Sequence, residues 1–186
     1  MKLKGLIIAS ALSIGIAAPQ FAAADSEITF GAGATSTANL DFRITIDQFV
    51  FFRVGSLAAG TVDRVDWDLT GVQPGESAAP IAATGGTGDG ADGVLTIQLV
   101  KNASTVTLAS NTGGGNLVSG TDTIPFTDIN VSDGGTISAP AFDGNVVIAT
   151  GGVYSATDDW TFTYNDDTPY VPGVYDGTSV YTAATP

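Results

Sequence analysis

The chain has 186 residues, 19 acidic against 6 basic, a formal net charge of −13, and neither His nor Cys. The missing residue types exclude Ser-His-Asp catalysis, imidazole or thiolate ligation of a metal, and any disulfide. The negative charge works against nucleic acid and anionic membrane surfaces as partners. Gly, Thr, Ser and Asp are abundant while Leu, Glu and Lys are scarce, a composition that favours short strands and turns over helices.

Lys2 and Lys4 precede an apolar run over residues 5–18, and Pro19 and the small residues Ala22, Ala23 and Ala24 follow. This order predicts a secretory signal peptide over residues 1–24. The run is too short for a membrane span, so no membrane insertion is expected after cleavage. Cleavage leaves four basic residues, Arg43, Arg53, Arg64 and Lys101. The rest of the chain suits one domain, large enough to bury a core without covalent staples.

In residues 25–37, Ile28, Phe30, Ala32 and Ala34 share one parity. The segment fits the first strand of the domain first, with an arm ahead of it as the alternative, because alternation alone satisfies both. The domain proper is expected over residues 38–186. Residues 40–54 carry four of the nine Phe residues. Leu40, Phe42, Ile44 and Ile46 alternate with polar residues, and Phe49, Val50, Phe51 and Phe52 follow at once. The pattern predicts two early strands that seed the core.

Val65, Trp67 and Leu69 alternate with Asp66 and Asp68 in a further strand over residues 62–69. Residues 71–93 read as a long surface loop with one short edge segment around Ile81. Residues 94–100 and 105–109 alternate on either side of Lys101, Asn102, Ala103 and Ser104, which predicts a hairpin. Between Phe126 and Ile129 the apolar parity changes, which suggests a bulge. Residues 146–149 form a short strand. Trp160, Phe162 and Tyr164 alternate with Thr161 and Thr163 in the clearest strand of the chain. Roughly nine or ten strands and no helix argue for a sandwich or barrel.

The strand at residues 160–164, the turn containing Pro172, Gly173, Tyr175 and Gly177, and the closing strand at residues 179–183 together resemble the last strands of chaperone–usher pilins. The layout also resembles small secreted proteobacterial β proteins with an early Leu-Asp-Phe-Arg-Ile strand. Many pilins carry a disulfide that this chain lacks. The resemblance implies an all-β, immunoglobulin-like Greek-key β-sandwich, periplasmic transit and a place in a fimbrium or at the cell surface. It implies self-association, or association with other pilus-like subunits, by strand addition, with a periplasmic chaperone as a further partner. Ile28, Phe30, Ala32 and Ala34 would form the donated strand, and Tyr175, Val180 and Thr182 would lie near the receiving edge.

Chemistry is sparse beside this. The acidic pairs Asp158-Asp159 and Asp166-Asp167 place neighbours on opposite sides of an extended chain, which suits solvent exposure better than shared catalysis, and no enzyme is expected. Asp89 and Asp92 in a glycine-rich loop are candidate calcium ligands, without the acid spacing or terminal Glu of an EF-hand. Apart from calcium, no cofactor is expected. Trp67, Trp160, Tyr164, Tyr170 and Tyr175 are candidates for a sugar platform. The alternative function is therefore a monomeric secreted binding module for glycan or calcium.

Overall fold

The structure is a computed structural model that describes residues 25–26, 29–57, 62–72 and 80–186. The expected signal peptide and Ile28 lie outside the described residues. The chain divides into two units, Met1–Ile46 and Asp47–Pro186.

In the first unit, β1 (Asp25–Ser26) pairs antiparallel with β2 (Ala38–Asn39), Asp25 opposite Asn39. Between them Gly31 and Gly33 take φ of 128° and 84°, and the Ala34 N–H donates to the Gly31 carbonyl at 3.2 Å. Side chains are strained at such φ values, so these glycines let the chain turn. Residues 40–46 follow in no strand. This corrects the expected seed strand: the alternation is present, but among the described residues no neighbouring strand takes up the backbone. Leu40, Phe42, Ile44 and Ile46 are between 73 % and 85 % exposed.

The second unit holds the core. Its first strand, β3 (Val50–Val54), keeps part of the expected second seed strand. It is followed by β4 (Arg64–Asp66), β5 (Ile81–Ala82), β6 (Gly85–Thr87) and a 3-10 turn at Gly88–Asp92. Two long strands come next, β7 (Val94–Lys101) and β8 (Thr105–Asn111), then β9 (Leu117–Ser119) and β10 (Asp122–Ile124). A 3-10 turn at Phe126–Asp128 leads into β11 (Ile129–Asp133). The last three strands are β12 (Asn145–Ala149), β13 (Tyr154–Tyr164) and β14 (Val180–Ala184). The 3-10 turn replaces the expected bulge: it shifts the parity while keeping both Phe126 and Ile129 buried.

The protein is all-β, and every strand pairing among the described residues is antiparallel. One sheet has the order β11-β13-β7-β3, with β5 paired to the end of β13. A second has the order β12-β8-β14. β9 pairs with β10, and β4 with β6. One apolar cluster draws on both larger sheets: Leu95, Ile97 and Leu99 of β7, Val106 and Leu108 of β8, Ile148 of β12, and Trp160, Phe162 and Tyr164 of β13. Trp160 is fully buried, with Phe52 at 6.3 Å and Tyr181 of the other sheet at 5.4 Å between ring centroids.

β7 and β8 are not the expected hairpin. β7 pairs with β13 and β3, while β8 pairs with β12 and β14, so the connection crosses from one sheet to the other. Lys101 explains the corner. It is fully buried, and its Nζ donates to the carbonyls of Ala103 at 2.7 Å and Ser104 at 3.3 Å. Asn102 ties the corner to the approach to β3, donating to the Asp47 carbonyl and accepting from the Phe49 N–H.

Asp158 of β13 organises the β11–β12 connection. Its carboxylate accepts the N–H groups of Thr136 at 2.8 Å and Ile137 at 2.7 Å. Burial raises its pKa, but the hydrogen bonds from Ile137, Thr136, Asp159 and Gly134 outweigh that and hold the carboxyl below its ordinary value.

Two outcomes are expected. Lys101→Met leaves the corner carbonyls without their donor and lowers stability by about 1–3 kcal/mol; an unchanged urea midpoint would contradict the role given to Lys101. For Asp158 the folded pKa is depressed, so its contribution is complete above the unfolded value and is lost as pH falls through the folded one. The melting-temperature gap between the native chain and Asp158→Ala is therefore constant at neutral pH and narrows below about pH 4. A gap independent of pH down to acid would show that the carboxylate charge is not what matters.

Candidate functional site

Two regions stand out: the unpaired arm with the sheet edges, and a cavity in the second unit. The expected donor residues Phe30, Ala32 and Ala34 are all exposed, Phe30 at 90 %, but the turn at residues 31–33 prevents them from sharing one strand face. The segment that keeps an extended alternation of large apolar side chains is residues 40–46. Sequence reasoning placed those residues in the core because it had no means of knowing that they would lack a partner strand.

Val180 and Thr182, expected at a receiving edge, lie exposed on β14, opposite Asn111 and Ala109 of β8. β14 is at the end of its sheet. Tyr175 is elsewhere. Its hydroxyl donates to the Val171 carbonyl at 2.7 Å, and its ring meets Tyr170 at 6.4 Å.

Tyr175 helps line a cavity of ≈ 800 Å³ between residues 64–72 and 164–177, with Leu117 and Ile124 in its wall. Four of the five aromatics expected as a sugar platform, Trp67, Tyr164, Tyr170 and Tyr175, gather here, and Trp160 does not. Trp67 and Tyr164 form a second ring pair at 6.4 Å. The polar ends of three of the rings turn to the protein: Trp67 Nε1 donates to the Ile81 carbonyl, and the Tyr170 hydroxyl donates to Asp128 Oδ2 at 2.5 Å, as Tyr175 does to Val171. Asp66, Asp68, Asp166 and Asp176 also line the cavity. Arg64 holds Asp66 through two bonds, from Nε at 2.7 Å and from the second guanidinium nitrogen at 2.8 Å. Asp166 is only 8 % exposed, and its Oδ2 has no hydrogen-bond partner. Asp167 beside it is exposed, as the alternation requires.

The candidate calcium ligands Asp89 and Asp92 sit in the 3-10 turn. Asp92 Oδ1 accepts the Val94 N–H, and the Asp89 N–H points to Asp63 Oδ2 at 3.4 Å. Asp63 also accepts the N–H and hydroxyl of Ser56. Among the described residues no group of three or more carboxylates is placed to hold a metal ion, and Asp63 braces the turn.

No helix among the described residues is long and apolar enough to cross a membrane. No protein-family model, curated protein or solved structure matches the chain.

Burial, with the charges of Asp128 and Asp166, raises Tyr164 to about 12. Burial, with the hydrogen bond to Asp128 and its charge, raises Tyr170 to about 12. Stability from these neutral phenols is complete below the ordinary tyrosine pKa of about 10 and is lost as pH rises toward 12. Alkaline titration followed by phenolate absorbance should show both ionising late, with both moving earlier in Asp128→Asn. An unaltered curve in that variant would show that Asp128 does not set the ionisation of these tyrosines.

Proposed function

We propose that the chain is an exported structural subunit, pilus-like or matrix-like, that self-associates by strand addition. The single observation behind this reading is the arm at residues 40–46. Four large apolar residues alternate there, exposed and without a partner strand among the described residues. Burying four such side chains is worth about 6–12 kcal/mol before the costs of ordering and association. An extended segment with unmet backbone groups is best satisfied by the edge of a sheet, where main-chain bonds supply affinity and alternate pockets supply register.

The receiving edge in this reading is β14 of a second copy. β14 bonds to β8 on one side, carries Val180 and Thr182 outward, and is short enough for residues 40–46 to cover. The donated strand is thus shifted from Phe30, Ala32 and Ala34 to Leu40, Phe42, Ile44 and Ile46. Two antiparallel sheets around one cluster support an immunoglobulin-like Greek-key sandwich as the body of the subunit. The pattern of residues 1–24 supports export, with passage through a periplasm and a place at the cell surface; other pilus-like subunits and a periplasmic chaperone fit the same edge chemistry. A second reading, a secreted module that binds a small ligand, draws on the aromatic cavity.

Gel filtration of the chain without residues 1–24 should show concentration-dependent high-mass species. The double variant Phe42→Asp, Ile44→Asp should run as a folded monomer, and Thr182→Pro should block assembly from the receiving side. A native chain that stays monomeric at high concentration, or an arm variant that assembles unchanged, would overturn the proposal.

A further inference from the structure

We propose that the cavity between residues 64–72 and 164–177 binds an organic cation, a guanidinium or ammonium group carried by a small amine or by a basic side chain of a peptide. The proposal is independent of strand addition, because the cavity is built from neither the arm nor β14.

Three observations carry it. First, the walls include two aromatic pairs, Trp67 with Tyr164 and Tyr170 with Tyr175, in tilted and edge arrangements. Ring faces attract cations, and the attraction grows when water is excluded. Second, among the described residues most of the hydrogen-bond donors in the lining are already engaged within the protein. The indole N–H of Trp67 and the hydroxyls of Tyr170 and Tyr175 are committed to Ile81, Asp128 and Val171. The guanidinium of Arg64 is committed to Asp66. What remains beside the Tyr164 hydroxyl is a set of carboxylates: Asp166, Asp176, and Asp68, which also accepts the Thr70 N–H. A phosphate or carboxylate would meet repulsion there, and a neutral sugar would find few donors for its own oxygens. A guanidinium or ammonium brings only donors. Third, Asp166 is buried and leaves Oδ2 without a partner. A buried carboxylate oxygen without a donor is costly, and an N–H supplied from the cavity removes that cost. The bidentate Arg64–Asp66 pair at the same wall shows the geometry that such a ligand would adopt.

The test is calorimetric titration of the chain without residues 1–24 with agmatine, cadaverine, the blocked peptide Gly-Arg-Gly and a neutral trisaccharide. At least one cation should bind saturably with one site per chain, and the trisaccharide should not. Comparison of agmatine with cadaverine separates guanidinium from ammonium, and the peptide separates a displayed side chain from a free amine. Asp166→Asn and Trp67→Leu should each weaken binding by about tenfold or more, with circular dichroism showing both variants folded. Arg64→Ala, which frees Asp66, should not weaken it. Failure of every cation to saturate would overturn the proposal. So would saturation by the trisaccharide alone, or equal cation binding by the native chain and both cavity variants, the mark of diffuse attraction to an acidic surface. None of these outcomes depends on whether the chain assembles, so this site and the strand-addition reading fail separately.

Discussion

The fold depends on the burial of Trp160 between the two larger sheets. β13 carries it at a position where Phe52 of its own sheet and Tyr181 of the other meet the indole. The indole N–H donates to the Ile137 carbonyl at 2.8 Å, and Ile137 is itself fully buried. A large aromatic can be buried without loss only if its polar atom finds a partner. That requirement locks the β11–β12 connection onto the core, and Asp158 secures the same connection by accepting the Thr136 and Ile137 N–H groups. One strand therefore sets both the packing of the sheets and the path of a loop.

The acidity of the chain has a structural side as well as a solubility one. Several aspartates hold loops by accepting backbone N–H groups. Asp63 holds Ser56, Asp133 holds Gly135 and Ala139, and Asp143 holds Thr112. Asp143 itself takes a φ of 56°, a left-handed conformation that Asp tolerates better than bulkier residues. Without Cys to cross-link the turns, such local bonds carry the task. Asp68 likewise holds Thr70, but with Asp166 and Asp176 it also lines the cavity.

The arm and the cavity are two separate features on which the proposed associations rest. The arm presents apolar side chains on a backbone without partners, and such a segment is satisfied by a sheet edge. The cavity presents acceptors and ring faces, which a compact cation satisfies. In the proposed readings, the first serves assembly of copies and the second serves capture of a cation.

From sequence alone, the composition and the period-two pattern determined an all-β protein. The alternation at Trp160, Phe162 and Tyr164, at Leu95, Ile97 and Leu99, and at Val106 and Leu108 identified core faces correctly, because the pleat forces alternate side chains to one side. Pairing was decided only by tertiary structure. Residues 94–101 and 105–111 read as a hairpin, yet they lie in different sheets, because alternation states which side chains face inward and not which strand lies alongside. Residues 40–46 carry the same pattern as the core strands and remain exposed, since a strand needs a neighbour for its backbone as much as a buried face for its side chains. Trp67, Tyr164, Tyr170 and Tyr175 were visible as aromatics, but their convergence around one cavity beside Asp166 depends on contacts between segments far apart in the chain, which local pattern does not encode.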